Sequence, residues 1–407
     1  MRVDEIEKII SNAVIHQLDL SEEISDEEIL EIIRNQVILY AKEYPISFPD
    51  RKIVENHVFN SLRKLDVLED LLSDETITEI MINGPNDIFI EKNGRVERSV
   101  FGFSTEEKLS DVIQKIVADN NKIVNETNPI VDTRLKDGSR VNIVLPPAAV
   151  DHGIISIRKF PKEHMTMKRL LEYGSISEEI VEFLQKLVIS GYNLFIAGGT
   201  GSGKTSFLNA LGEFIPSDER VITIEDSAEL QLKNVDNLVR LEARDANLEG
   251  KNAITIRDLL KSSLRMRPDR IVVGECRGAE ALEMLQAFNT GHDGSFSTGH
   301  ANSCTDMIAR LETMVLMGTE IPLSAIRQQI ASGIDIFVHL GRLRDKSRKV
   351  LEIVEVDGIK NGEINLNTIY KFSELDEKDG RIVGQWQKIG NLIHTEKLTR
   401  SGIKLSI

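Results

Sequence analysis

A glycine-rich segment, set between an apolar run and a helical run, constrains this chain more than any other feature. Its sequence, Gly198-Gly-Thr-Gly-Ser-Gly203-Lys204-Thr205, matches the pattern G-x-x-x-x-G-K-[ST] in full. The run Leu194-Phe-Ile-Ala197 predicts a strand before it, and the residues from Lys204 to Glu213 predict a helix after it. Glycines permit backbone torsions that turn successive N–H groups inward, and such a nest at a helix N-terminus binds anions. A chance glycine loop lacks this setting, so the segment predicts a phosphate-binding P-loop.

The P-loop assigns ligands to individual residues. The predicted nucleotide-binding residues are Gly198, Gly199, Thr200, Gly201, Ser202, Gly203, Lys204, Thr205 and Ser206. In such loops the lysine bridges the β- and γ-phosphates, and the hydroxyl of the following residue ligates Mg²⁺. We therefore expect ATP and Mg²⁺ as ligands, with Lys204 acting in catalysis and Thr205 on the metal.

A carboxylate at a second strand end suggests hydrolysis. Glu275 follows the apolar run Arg270-Ile-Val-Val-Gly274, and ligand sites of parallel α/β sheets lie at the carboxyl ends of the strands. The alternative is an acidic residue that only ends a strand. Beside a P-loop we favour a functional carboxylate that holds the metal and orients water, so Glu275 is predicted as a catalytic residue and a metal ligand.

A second acidic cluster follows another predicted strand. Thr223-Ile-Glu-Asp226 is followed by Glu229. Glu229 is the candidate general base, and the alternative is a solvated carboxylate near the positive end of a helix.

Two histidines lie among small residues in Thr290–Ser295 and Ser297–Asn302. His300 would hydrogen-bond the γ-phosphate, or it is an ordinary satisfied polar group, and the spacing alone leaves both open. Two histidines without matching cysteines or carboxylates do not make a zinc site.

The chain divides into five segments by composition and periodicity. They are a helical bundle in 1–65, an α+β module in 66–160, a linker in 161–175, an α/β domain in 176–372 and a polar segment in 373–407. Ser25 and Glu28 resemble a capping box at the start of a helix. The alternating helices and strands of the fourth segment predict a parallel sheet covered by helices, with turns at Asp357-Gly358 and Asn361-Gly362.

Composition limits the classes of molecule that this 407-residue chain is expected to bind. Its net charge of -15 disfavours broad binding to nucleic acid, because phosphate backbones repel an acidic surface. Only Cys276 and Cys304 are present, which excludes a disulfide framework. The charged N-terminus does not resemble a signal peptide, and no 18 apolar residues run unbroken, so we expect no direct insertion into a membrane.

Together the P-loop, Thr223–Leu230, Leu264–Glu275 and Asn289–Asn302 resemble the type II/IV secretion ATPase superfamily. They are similar to its Walker A, Asp box, Walker B and His box, in that order, and the similarity extends from about Leu65 to Leu343. The nearest group is CpaF, the motor ATPases of tight-adherence (Tad) pili. The four-cysteine zinc motif of the pilus-extension branch is absent, which favours the CpaF or type IV secretion branches.

The resemblance implies a RecA-like catalytic domain after a PAS-like α+β domain. It implies a homo-hexamer in the cytoplasm, peripheral at the inner face of the cytoplasmic membrane, on an inner-membrane platform protein. It also implies that arginines of the N-terminal domain reach the nucleotide, and here Arg140 and Arg158 match them. A guanidinium suits the charge of the γ-phosphate in the transition state.

Three classes of function compete. A hexameric motor ATPase would drive assembly or retraction of a Tad or type IV-like pilus, or secretion of protein, with a type IV secretion traffic ATPase as the runner-up. A nucleic-acid translocase should show basic loops toward a channel. A nucleotide-gated scaffold without turnover is disfavoured by the paired carboxylates.

Overall fold

A computed structural model of the chain describes residues 3–18, 24–92, 94–160, 164–244, 246 and 251–404. The chain forms two compact units, Met1–Lys162 and Glu163–Ile407.

Three helices at the start of the first unit form a small bundle, as the apolar spacing predicts. They are α1 (Val3–Ile15), α2 (Asp26–Glu43) and α3 (Phe48–Arg63). Their buried faces share one cluster that contains Ile10, Ile33 and Val54. The predicted capping box is confirmed, because the Ser25 hydroxyl accepts the Glu28 N–H and the Glu28 carboxylate accepts the Ser25 N–H at 2.8 Å.

The rest of the first unit is an α+β module, as predicted. Its elements are α4 (Leu68–Ser73), β1 (Ile77–Ile82), β2 (Ile88–Lys92), β3 (Arg95–Arg98), α5 (Glu106–Ala118), β4 (Ile130–Arg134), β5 (Arg140–Val144) and β6 (Ile154–Arg158). The six strands form an antiparallel sheet in the order β3-β2-β1-β6-β5-β4. Val141 and Ile143 of β5 point to the buried face, where Leu109, Ile113 and Ile116 of α5 also pack.

The second unit begins with a helix where the sequence predicts a linker. Helix α6 (Met167–Glu172) lies inside the predicted linker 161–175. Its Met167 and Leu170 side chains are buried in the core of the second unit. The linker prediction is therefore wrong for this helix, because two apolar side chains one turn apart gain from burial against the core. Residues 161–163 lie outside the described residues.

A nine-stranded sheet is the centre of the second unit. Its strands are β7 (Leu194–Gly198), β8 (Arg220–Glu225), β9 (Asn237–Glu242), β10 (Arg270–Val273), β11 (Phe296–Gly299), β12 (Ile336–Arg342), β13 (Arg348–Lys360), β14 (Glu363–Lys378) and β15 (Arg381–Lys388). The order is β15-β14-β13-β12-β7-β11-β10-β8-β9. Neighbours from β12 to β9 are parallel, and neighbours from β15 to β12 are antiparallel. The predicted parallel sheet is confirmed, and an antiparallel extension adjoins it.

Helices cover both faces of the sheet. They are α7 (Glu178–Ile189), α8 (Lys204–Gly212), α9 (Ile256–Ser263), α10 (Ala281–Phe288), α11 (Cys304–Gly318), α12 (Leu323–Gly333) and α13 (Glu396–Arg400). Leu194 and Ile196 of β7 pack into the cluster that holds α7 and α8, whereas Phe195 and Ala197 pack against α10, α11 and α12. Burial on both faces explains the continuous apolar runs of the central strands. Among the helices of the described ranges, none has the length and apolarity to cross a bilayer.

The predicted boundary between residues 372 and 373 is wrong. Strand β14 continues to Lys378 and pairs with β15, and the rings of Phe372 and Trp386 lie 5.1 Å apart across that pair. The Trp386 Nε1–H donates to the Val350 carbonyl at 2.7 Å. The last part of β14 is exposed on both faces, so it lacks the alternation that identifies a half-buried strand.

One of the two predicted turns is also wrong. Asn361 and Gly362 form the two-residue turn that connects β13 to β14. Their φ angles are +53° and +81°, and positive φ at both residues is typical of such a hairpin turn. Asp357 and Gly358 instead lie within β13, where the pairing register shifts between Val356 and Ile359. Gly358 has φ +76°, so this glycine serves a bulge and not a turn.

Candidate active site

The P-loop lies between β7 and α8, with an uncapped helix start. Gly201 and Gly203 have φ of +70° and +93°, in the left-handed region that favours glycine. Gly203 is the N-cap of α8 and offers no side-chain acceptor to the first turn, whereas the Ser177 hydroxyl caps α7. A Cβ on Gly198 would lie 2.5 Å from the Ser202 hydroxyl, so this position also needs glycine. The first-turn N–H groups of α8 can thus donate hydrogen bonds to an anion.

Three predicted catalytic side chains form one polar chain. The Lys204 ammonium donates to the Gly198 and Gly199 carbonyls at 3.1 Å each and lies 3.2 Å from His300 Nδ1. His300 Nε2 lies 3.0 Å from Glu275 Oε1. These residues follow β7, β11 and β10, which are neighbours in the sheet. The strand order therefore brings together residues that the sequence singled out separately.

The electrostatics of His300 define its hydrogen bonding. Burial and, after it, the Lys204 charge lower the pKa of His300, although Glu275 opposes the shift. A neutral imidazole accepts from Lys204 at Nδ1. Its Nε2 lies close to Glu275 Oε1 without the geometry of a hydrogen bond, so this buried carboxylate oxygen has no hydrogen-bond partner among the described residues. His292 differs, because its Nδ1 lies 2.9 Å from the Ala287 carbonyl within the adjoining loop.

Arg277, which the sequence analysis missed, contacts the other oxygen of Glu275. Its Nη2 lies 2.8 Å from Glu275 Oε2, and its Nη1 lies 3.4 Å from Asp226 Oδ2. The hydrogen bond to Glu275 is the main cause of a raised pKa for Arg277. Arg277 follows Glu275 by two residues, and only the strand order places Asp226 beside it.

Glu225 is a buried carboxyl that fixes the turn carrying Glu229. Its Oε1 accepts the Glu229 and Leu230 N–H groups at 2.9 Å each. Burial raises the pKa of Glu225 to about 7, against the opposing effect of these two bonds. Glu229 is half-buried, and its charge contributes to the raised pKa of Arg277.

The Glu225 shift predicts a pH-dependent stability. An unfolded glutamate titrates near 4.5 and the folded one near 7, so between these values the folded state holds a proton that the unfolded state has released. Raising the pH through this window should lower the free energy of unfolding by about 3 kcal/mol. Glu225→Gln cannot ionise and should lose that part of the pH dependence. Urea denaturation at pH 5 and pH 8 measures it, and the same dependence in both proteins would contradict the assignment.

A second missed arginine contacts the P-loop from the sheet extension. The Arg348 Nε–H donates to the Gly201 carbonyl at 2.7 Å. Arg342 lies nearby, since a Cβ at position 201 would be 4.0 Å from the Arg342 Nη1. Arg342 and Arg348 face each other in the β12–β13 hairpin. This hairpin lies beside the P-loop because Leu340 of β12 pairs with Gly198 of β7. Arg348 comes 147 residues after Gly201, so no local pattern indicated this contact.

In the first unit, the two predicted arginines are direct neighbours. Arg140 of β5 is opposite Arg158 of β6, and Arg134 of β4 is opposite Arg140. Arg158 also lies opposite Glu79, with 3.9 Å between Nε and Oε1. Like charges directly opposite each other destabilise a sheet, and here Glu79 offsets part of that repulsion. Sequence reasoning missed Arg134.

The residues predicted to hold a metal offer oxygen donors, the chemistry that Mg²⁺ prefers. Thr205 is a half-buried hydroxyl in the first turn of α8, and Glu275 supplies a carboxylate. Within the described ranges, no group of three or more His, Cys, Asp or Glu side chains is placed to hold a metal ion. Cys276 and Cys304 are buried free thiols.

The chain is similar to proteins of one known family. Residues 61–401 match the family described as Type II/IV secretion system protein. Type IV secretion system protein VirB11 of Brucella suis is 33% identical over 305 residues, covering 68% of this chain and 84% of VirB11. The solved structure of the Legionella pneumophila ATPase DotB matches 71% of this chain and 79% of DotB, at 23% identity and a TM-score of 0.52. The pilus retraction motor PilT with bound ADP matches 75% of this chain and 81% of PilT, at 19% identity and a TM-score of 0.51.

DotB and PilT share the fold, and the family match spans most of the chain. The chain therefore belongs to the Type II/IV secretion system protein family, and it is an ATP hydrolase with a RecA-like catalytic domain.

Proposed function

We propose that this ATPase is a motor that converts ATP hydrolysis into mechanical work on a pilus or a secretion system. The observation that carries the proposal is the polar chain from Lys204 through His300 to Glu275 beside the start of α8. A binding scaffold needs only the P-loop, whereas this chain links the phosphate-binding lysine to a carboxylate. Such a link suits an enzyme that cleaves what it binds.

The P-loop would bind the triphosphate through backbone N–H groups of residues 198–206. Lys204 would exchange its contacts with the Gly198 and Gly199 carbonyls for oxygens of the β- and γ-phosphates. The charge-assisted hydrogen bonds so formed are stronger than those to neutral carbonyls. Arg348, which donates to the Gly201 carbonyl, would keep the loop in its binding conformation.

Thr205 and Glu275 would hold Mg²⁺ together with the nucleotide. The ion supplies charge neutralisation at the phosphate oxygens. Glu229 would act as general base toward the attacking water, a role worth ~10²–10⁴-fold in rate. The Glu225 carboxyl accepts the Glu229 N–H and thereby fixes the backbone of Glu229. A fixed backbone holds the general base in the geometry that proton transfer needs. His300, neutral and between Lys204 and Glu275, would hydrogen-bond the γ-phosphate.

By the resemblance to the secretion ATPase superfamily, Arg140 and Arg158 would neutralise charge on the nucleotide. We predict that Arg140→Ala lowers the turnover number by up to ~10³-fold, the lower end for an arginine that stabilises a phosphoryl-transfer transition state. Arg98→Ala, an exposed arginine on β3 of the same sheet, is the control and should change turnover little. Steady-state phosphate release measures both, and unchanged kinetics in Arg140→Ala would remove it from the site.

The assembly proposed is a homo-hexamer in the cytoplasm, peripheral at the inner face of the membrane, on an inner-membrane platform protein. We assign it to a Tad-type pilus because the four motifs resemble the CpaF group. The type IV secretion traffic ATPase remains the alternative, favoured by the likeness to VirB11. A nucleic-acid translocase is less favoured, because the net charge of -15 opposes contact with phosphate backbones.

A test in the source organism distinguishes these assignments. The chromosomal gene is replaced by the Glu275→Gln variant, and surface filaments, secreted proteins and transferred DNA are measured. Loss of filaments supports the pilus motor. Loss of protein secretion with normal filaments supports the type IV alternative, and loss of DNA transfer alone supports the translocase. Normal behaviour in all three contradicts the motor proposal.

A further inference from the structure

We propose that Arg277 is a positioning residue that joins the acidic ends of β8 and β10 and holds Glu275 in its working orientation. The inference rests on the proposed function, because it concerns the same carboxylate. It assigns a role to Arg277, which lies outside the P-loop and is separate from His300.

The backbone around Arg277 is fixed on both sides. The N–H groups of Arg277 and Gly278 donate to Glu280 Oε1 at 2.7 and 2.8 Å. The Cys276 N–H donates to the Thr298 carbonyl at 2.8 Å, and the Cys276 side chain is fully buried. The guanidinium therefore extends from an anchored turn and not from a free loop.

From that turn, one guanidinium reaches two carboxylates on different strands. Nη2 lies 2.8 Å from Glu275 Oε2, and Nη1 lies 3.4 Å from Asp226 Oδ2. The planar fork of arginine carries separate donors in a fixed geometry, which the single ammonium of lysine lacks. Arg277 thus spans the ends of β8 and β10, which are adjacent and parallel.

The surrounding charge explains why a cation is needed there. Glu275, Asp226 and Glu229 all act on Arg277, and each raises its pKa. Without this cation, three carboxylates at one sheet edge would repel one another. Repulsion would turn Glu275 away from the site where water and metal must meet.

Arg277 donates to Glu275 Oε2, whereas Glu275 Oε1 lies 3.0 Å from His300 Nε2 and accepts no hydrogen bond from it. In the proposed reaction, Lys204 and His300 turn toward the phosphates. Arg277 is then the contact that keeps Glu275 oriented. The side chain of Arg277 is 56% exposed, so its ion pairs add little to folding stability, and its effect should appear in catalysis.

The test compares Arg277→Gln and Arg277→Lys in the full chain, with Arg98→Gln as a control of similar exposure, 62%, in the other unit. We expect Arg277→Gln to lower kcat by ~10–100-fold, since small misplacement of a reacting group has effects of that size. KM for ATP should change less than about twofold, because the P-loop is untouched. Arg277→Lys should recover part of kcat, and Arg98→Gln should match the parent protein. Unchanged kcat, or a change in KM alone, overturns the inference.

A second measurement does not depend on turnover. A crystal structure of Arg277→Gln should show the Glu275 carboxylate turned away from its place beside His300, and an unmoved carboxylate overturns the inference. If the parent protein released no phosphate, the proposed function would fail, while this structure would still decide the role of Arg277.

Discussion

Lys204→Ala should abolish measurable ATP hydrolysis by the full chain. Lys204 is almost fully buried, and in the proposed reaction it is the cation that contacts the phosphates. Removing one charged donor from a transition state costs ~10²–10³-fold in rate, and here nucleotide binding weakens as well. The measurement is magnesium-dependent phosphate release, together with the affinity for a fluorescent ATP analogue.

The matched control for this prediction is Lys186→Ala, a half-buried lysine on α7 of the same unit. Lys186→Ala should hydrolyse ATP at the parent rate. A loss of hydrolysis in Lys204→Ala alone would then be due to the position of Lys204 and not to the removal of one positive charge. Hydrolysis at the parent rate by folded Lys204→Ala would mean that the P-loop is not the phosphate site.

Glu275→Gln should separate binding from hydrolysis. The amide keeps the size of the side chain, so the P-loop should still bind ATP with an affinity near that of the parent. Hydrolysis should fall by ~10²–10⁴-fold, because an amide neither holds the metal as a carboxylate does nor orients water for proton transfer. Analogue affinity and phosphate release, measured on the same sample, distinguish the two effects.

Glu312→Gln is the control for Glu275→Gln. Glu312 on α11 has similar exposure, 16% against 19%, and likewise pairs with an arginine, Arg327, at 2.7 Å. It should hydrolyse ATP at the parent rate. Near-parent hydrolysis by Glu275→Gln would exclude it as the essential carboxylate.

Much of the candidate site could be predicted because its residues follow short apolar strands. Lys204, Glu275 and His300 each follow such a run, and parallel strands end at one edge of a sheet. The strand order could not be predicted, since it depends on packing between distant segments. For that reason the contacts of Arg277 with Asp226 and of Arg348 with Gly201 became visible only in the structure.

The errors at the C-terminal end have a related cause. Alternation detects a strand only when one face is buried, and the residues of β14 after Ser373 are exposed on both faces. The pair Asp357-Gly358 has the composition of a turn, but the long pairing of β13 with β12 and β14 makes it a bulge. Long-range pairing thus prevailed over local preference at both positions.

The sheet extension gives this chain an intrinsic optical probe. Trp386 is the only tryptophan in 407 residues, and its indole is held by the Val350 carbonyl, two residues after Arg348. Fluorescence excited at the indole absorption therefore originates from one place in the second unit, on the same extension that contacts the P-loop. Nucleotide titrations can use this emission without attaching a dye.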